Sequence, residues 1–220
     1  MSFPGANAEM EVTQKTLNIQ RSTFNAEFRQ AFTLIELLVV ISIIIVLMGL
    51  LFPAFRGVQD QAKKTQAKND LTQIVTAVNA FYTEYGRYPT TAASDASATY
   101  GPGGSSTENG DLFKELRGIS NTLNTRQIVF VSPPDSKDQS NPRSGIKTTT
   151  SGYYDPWGSE YAVAMDADYD NQITPNPYGN NNGAGASPLR QGVISWSLGK
   201  DVTLGKSGKF TDSDDVISWQ

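Results

Sequence analysis

The chain has 220 residues, 18 basic and 22 acidic side chains for a formal net charge of −4, and no cysteine or histidine. Lacking cysteine it can form no disulfide, thiolate nucleophile or Zn–thiolate site, and lacking histidine it has neither the commonest general base nor the commonest transition-metal ligand, so Ser-His-Asp hydrolysis is excluded and no enzyme activity is expected. The mild acidity argues against nucleic-acid binding, and a chain only 18% charged but rich in Gly, Ser, Thr and Asn fits a loop-rich, extracytoplasmic β-containing domain.

Residues 1–31 are polar and of mixed charge, with Lys15, Arg21 and Arg29 balancing Glu9, Glu11 and Glu27. An apolar run, FTLIELLVVISIIIVLMGLLFPAF, follows at 32–55. Between 37 and 52 it carries no charge, and Ser42 is its one hydroxyl. A helix of that length crosses a hydrocarbon core of about 30 Å at about 1.5 Å per residue. The run is apolar all round, unlike the one-sided stripe of a soluble core helix. Glu36 interrupts it near its start, where a carboxylate in lipid costs roughly a few kcal/mol unless it is paired or reaches water. The small residue Ala31 precedes the apolar stretch, whereas a secretory signal places its cleavage site after it. Cleavage at Ala31 leaves the apolar helix on the mature chain with Phe32 as its new terminus.

The stretch Gln30-Ala31-Phe32-Thr33-Leu34-Ile35-Glu36-Leu37-Leu38-Val39-Val40-Ile41 resembles the processing and N-methylation signature of type IV pilins and type II secretion pseudopilins. The resemblance implies a leader at 1–31, cut between Ala31 and Phe32 by a prepilin peptidase that methylates the Phe32 amine. It implies a transmembrane and filament-core helix at 32–55. Glu36 would engage the terminal amine of an adjacent subunit, and Pro53 would be the family's helix-kinking proline. Ala31 departs from the family's usual Gly.

Residues 56–89 read as the amphipathic second half of the same helix. Leu71, Ile74, Val75, Val78, Phe81, Tyr82 and Tyr85 recur at helical spacing, with Asp60, Lys63, Lys64, Lys68, Asn69 and Asp70 between them. Gly86 is the expected C-cap and Pro89 blocks further helix. Residues 90–220 read as a periplasmic head. Residues 90–110 and 135–151 read as loops. A short helix is expected over 111–117 with Asp111 as its N-cap. Three short strands are expected, at 161–164, 193–197 and 216–219. The expected fold is α+β: a long N-terminal transmembrane helix packed on a small antiparallel sheet, as in pilins. Asp155-Pro156-Trp157-Gly158 with Tyr161 is similar to the DPWG-x-x-Y stretch of major pseudopilins and reads as a structural turn.

Two acidic clusters remain. Asp166, Asp168 and Asp170 follow the spacing of an EF-hand loop, but Asn171 replaces its Gly and Pro177 stands where the closing Glu belongs. They read either as a weak half-site for a cation or as a turn with solvated carboxylates. Ser197-Leu198-Gly199-Lys200-Asp201, leading to Asp212-Ser213-Asp214-Asp215-Val216-Ile217-Ser218-Trp219, resembles the C-terminal loop of major pseudopilins. In that family the loop holds a structural Ca²⁺. The resemblance implies Asp201 and Asp215 as ligands, then Asp214 and Asp212, with the Leu198 carbonyl as a backbone ligand.

Together these features imply a homo-oligomeric helical filament, a pseudopilus that drives protein export across the outer membrane. The subunit would be single-pass in the bacterial inner membrane with its head in the periplasm. The implied partners are a prepilin peptidase, the inner-membrane assembly platform, minor pseudopilins and a secretion ATPase. The alternative is a type IV pilus subunit for adhesion, motility or DNA uptake.

Overall fold

The computed structural model describes residues 32–102, 108–180, 182–206 and 209–220, without the side chains of residues 50, 52–54 and 56. The leader assigned to 1–31, Ala31 included, lies outside the described residues, as does the Pro53 side chain. The chain divides into two units, Met1–Gly49 and Leu50–Gln220. Helix α1 (Leu34–Tyr85) contributes turns to both, and its helical backbone passes through Pro53.

In the first unit the described helical side chains are exposed on every side, among them Leu34, Ile35, Ile45 and Met48. This matches the apolar, faceless sequence there. Among the described residues no helix is long and apolar enough to cross a membrane. The apolar run read from the sequence continues over positions whose side chains are not described.

In the second unit the C-terminal part of α1 packs on the head. Ala67, Leu71, Ile74, Val78 and Phe81 are buried, at the three- and four-residue spacing of one helical face. Gly86, at φ 67°, caps the helix, and its N–H donates to the Tyr82 carbonyl at 2.8 Å. A four-stranded antiparallel sheet has the order β1 (Thr99–Tyr100), β4 (Ala162–Met165), β5 (Val193–Ser197), β6 (Val216–Ile217). A second pair joins β2 (Gly145–Ile146) to β3 (Tyr153–Tyr154).

Side chains alternate across the main sheet. Val163, Met165, Val193 and Val216 join the α1 core, whereas Ala162, Ala164, Ile194, Trp196 and Ile217 form a second core on the opposite face. The long β4–β5 connection covers that second face with Ile173, Tyr178, Ala184 and Leu189. Strands β4, β5 and β6 are therefore buried on both sides, as their mainly apolar sequences require, while edge strand β1 is half-buried.

Three expectations change. The 90–110 stretch contributes β1, because Thr99 and Tyr100 pair with Ala164 and Val163. The 135–151 stretch contributes β2. Helix α2 spans Gly110–Leu116 with Asn109, not Asp111, at its N-cap position. Asn109 does not cap through its side chain. It is fully buried and bridges β3 to the start of β4: its Nδ2 donates to the Tyr153 and Tyr161 carbonyls, and its Oδ1 accepts the Tyr153 N–H. Asp111 instead sits in the first turn, paired with Lys114.

Among the polar contacts that fasten α1 to the head, one is buried on both sides. The Tyr161 hydroxyl donates to Asp70 Oδ2 at 2.7 Å, with both residues buried. Burial raises the Asp70 carboxyl above its ordinary value, against the lowering effect of the Tyr161 and Tyr153 hydroxyls. A carboxyl raised in the folded state adds most stability below the ordinary carboxylate range and loses it as pH climbs through the raised value. With divalent cations removed, the full chain in detergent should therefore melt higher as pH falls from neutrality toward the ordinary carboxylate range. Asp70→Asn should flatten that rise. A profile identical in the variant would assign the pH dependence to other groups.

Candidate functional site

At the start of α1, Thr33 and Glu36 satisfy each other. Glu36 Oε2 accepts the Thr33 N–H at 2.9 Å and the Thr33 hydroxyl at 2.6 Å, and the Thr33 hydroxyl accepts the Glu36 N–H at 3.3 Å. This is a capping box, in which a Thr and a Glu three residues on bind each other's backbone donors. The Thr-x-x-Glu spacing announces it, a local role beside the water-facing and amine-pairing roles that the sequence suggests for Glu36. Phe32 is exposed beside the box. Within the apolar turns, the Ser42 hydroxyl folds back onto the Val39 carbonyl at 2.7 Å, so it presents no free donor.

The second candidate is the β5–β6 connection. It leaves the sheet after Ser197 and returns at Val216, and its two ends run close together. Gly199 adopts φ 65°, and a Cβ there would lie 2.7 Å from the Asp214 carbonyl oxygen, so glycine is required. The Lys200 N–H donates to Asp214 Oδ2 at 2.6 Å across the same gap. The approach gathers three carboxylates, Asp201, Asp214 and Asp215, with one oxygen of each within 4.8 Å of the others. Asp201 is exposed, Asp214 half-buried and Asp215 buried.

Asp215 decides what this cluster can do. It is only 6% exposed. Its Oδ2 accepts the Tyr178 hydroxyl at 2.7 Å and the Gly205 N–H at 2.8 Å. Its Oδ1 is buried with no hydrogen-bond partner. A buried, unpartnered carboxylate oxygen costs free energy unless a positive group meets it. Burial, followed by the charges of Asp214 and Asp201, drives the Asp215 carboxyl upward, although Gly205 and Tyr178 oppose the shift. Three hard oxygen donors converging without His or Cys suit Ca²⁺ and not a softer metal.

Asp212 lines the open mouth of the loop with Lys200, Lys206 and Ser213 but does not join the three-carboxylate group. Leu198 precedes Gly199 with its side chain buried in the second core.

The weaker candidate is arranged differently. Asp166 and Asp168 meet Asp95, which comes from the 90–98 stretch and was not foreseen, while Asp170 stays outside the group. Here the buried carboxylates are already occupied by backbone. Asp95 accepts the Ala167 and Thr174 N–H groups, and Asp166 accepts those of Asp170 and Asn171. The loop thus closes on its own amides. The residue following Asp168, Tyr169, sits at φ 62° and stacks on Tyr88.

The DPWG turn is built on the same device. Fully buried Asp155 accepts the N–H groups of Trp157, Gly158 and Ser159 on Oδ1, and the Ser197 hydroxyl on Oδ2 at 2.6 Å. The Ser197 hydroxyl in turn accepts the Gly199 N–H at 3.1 Å. The turn therefore anchors the first residues of the acidic connection.

The family model of the prokaryotic N-terminal methylation motif matches residues 28–52. The chain is 40% identical over 67 residues to the type IV major pilin protein PilA of Myxococcus xanthus (strain DK1622), a match covering 30% of this chain and 30% of that protein. It thus spans well under half the length of the curated relative it matches. No solved structure matches the chain.

Proposed function

We propose that this type IV pilin-like chain is the structural subunit of a pseudopilus of the type II secretion class, held in the bacterial inner membrane before assembly with its head in the periplasm. The observation that carries this reading is the apolar helix start. From Leu34 to Met48 every large apolar side chain is exposed. Covering one such side chain stabilises by roughly 1.5–3 kcal/mol, so leaving this many in water costs on the order of tens of kcal/mol. Lipid covers them before assembly, and the same surface of sibling subunits covers them afterwards.

Glu36 fits both situations. Before processing, its carboxylate is satisfied within its own chain by Thr33. After cleavage between Ala31 and Phe32, the new amine of an adjacent subunit offers it a full positive charge, a stronger partner than a neutral N–H. Pro53 lies further along the same helix, where the family places its kink. Prepilin peptidase, the assembly platform, minor pseudopilins and a secretion ATPase are the partners this reading requires.

The acidic β5–β6 connection supports the secretion class and a structural Ca²⁺. Asp215, Asp201 and Asp214 would hold it, with the Leu198 carbonyl and Asp212 as further donors. Bound there, the cation would supply charge neutralisation and a tie between the two ends of the connection. The orphaned Asp215 Oδ1 is what favours it. By the same criterion Asp166, Asp168 and Asp170 are the poorer site, because backbone amides already fill that loop.

A second reading is a type IV pilus subunit for adhesion, motility or DNA uptake. The similarity to the Myxococcus xanthus pilin favours it. Both readings share the helix, the processing step and a structural role without catalysis.

Mass spectrometry of the chain purified from a host with a prepilin peptidase should find a mature terminus at N-methyl-Phe32. An unprocessed leader would overturn the assembly role. For the cation, adding a chelator to the full chain in detergent should lower its melting temperature, by roughly 2–4 °C for each kcal/mol of binding free energy lost. An unchanged melting curve would remove Ca²⁺ from the proposal.

A further inference from the structure

We propose that Tyr178 is the positioning residue of the acidic-loop cation site, turning Asp215 so that one carboxylate oxygen is spoken for and the other is presented to the ion. The inference rests on the reading of that loop as a Ca²⁺ site. It adds a residue from outside the loop, 37 positions upstream in the β4–β5 connection.

A carboxylate can rotate about its terminal torsion, and each orientation offers different oxygens to a cation. Here rotation is prevented from one side. The Tyr178 hydroxyl and the Gly205 N–H both donate to Oδ2, at 2.7 and 2.8 Å. With Oδ2 fixed, Oδ1 is the oxygen left without a partner, and Asp201 and Asp214 are the neighbouring carboxylates. Partners of this outer kind commonly set metal affinity by orienting the ligand and holding its charge.

The phenol is itself held rigidly. Tyr178 is 3% exposed. Its ring packs edge-on against Phe210, with centroids 5.4 Å apart, and lies 6.2 Å from Trp219. Its N–H donates to Asn176 Oδ1 at 3.0 Å, and buried Asn176 Nδ2 donates to the carbonyls of Ala184 and Gly185. Phe210 belongs to the acidic connection, and its N–H donates to the Asn182 carbonyl at 2.9 Å. Ring and hydroxyl therefore join the two connections at one point. Among the described residues no other tyrosine hydroxyl bonds to Asp201, Asp214 or Asp215.

The test uses the full chain in detergent, stripped of divalent cations and titrated calorimetrically with CaCl₂. Tyr178→Phe keeps the ring contacts and removes only the donor. It should fold without Ca²⁺ and bind Ca²⁺ about 10-fold more weakly or worse. Tyr100→Phe, which removes a hydroxyl bonded to Thr90 far from this loop, should bind as the parent does. Equal affinity in Tyr178→Phe and parent overturns the positioning role while leaving the cation site intact. A parent chain that binds no Ca²⁺ overturns both. A second measurement needs no variant: in the chain labelled with 3-fluorotyrosine, one ¹⁹F resonance should move with the calorimetric midpoint as Ca²⁺ is added. If no tyrosine resonance moves, the assignment of Tyr178 fails.

Discussion

The constraint on which the rest of this structure depends is an apolar helix start that no described side chain covers. Residues between Leu34 and Met48 present their side chains outward on all sides. In the proposed reading that surface meets lipid or another copy of itself, and the one carboxylate at its beginning is satisfied in either place. The Thr33–Glu36 box satisfies it locally, using two of the four backbone donors that a helix start leaves free. It is an exposed, solvent-screened interaction between neutral donors and one carboxylate, and in the proposed assembly a charged amine takes its place.

The head solves a different problem. It has no cysteine with which to staple its loops. In their place stand buried carboxylates that collect hydrogen-bond donors: Asp155 in the DPWG turn, Asp95 ahead of β1, Asp166 in the β4–β5 connection, and Asp215 at the entry to β6. Burial raises the carboxyls of Asp155, Asp166 and Asp215, each against hydrogen bonds that lower them. Glu115 works in the same manner, accepting the Leu123 and Asn124 N–H groups after α2. Against this pattern Asp215 stands apart, because one of its oxygens is buried and unmatched. That asymmetry is what favours the proposed cation here over a loop closed on its own amides.

Much of this is legible in the sequence where the signal is local. The faceless apolar run, the helical spacing from Leu71 to Tyr85, the Gly86 cap and the β5 segment all follow from periodicity and turn chemistry. The capping box is equally legible in the spacing of Thr33 and Glu36. What could not be read is what depends on distant pairing. Strand β1 is two residues in a small-residue stretch, and it exists because Ala164 and Val163 offer it an edge. Asn109 displaced Asp111 from the cap position because β3 and β4 needed its amide. Asp95 and Tyr178 reach their carboxylates across 71 and 37 positions, and no spacing rule in the chain points to either.

The most direct measurement is filament assembly by chains altered at Glu36 alone. When the chain is coexpressed with its peptidase and assembly machinery, Glu36→Leu should still be inserted and processed, since the change only adds apolar surface, yet sheared filaments viewed by electron microscopy should be lost. Filaments as abundant as those of the unaltered chain would contradict a helix whose packing is guided by that carboxylate.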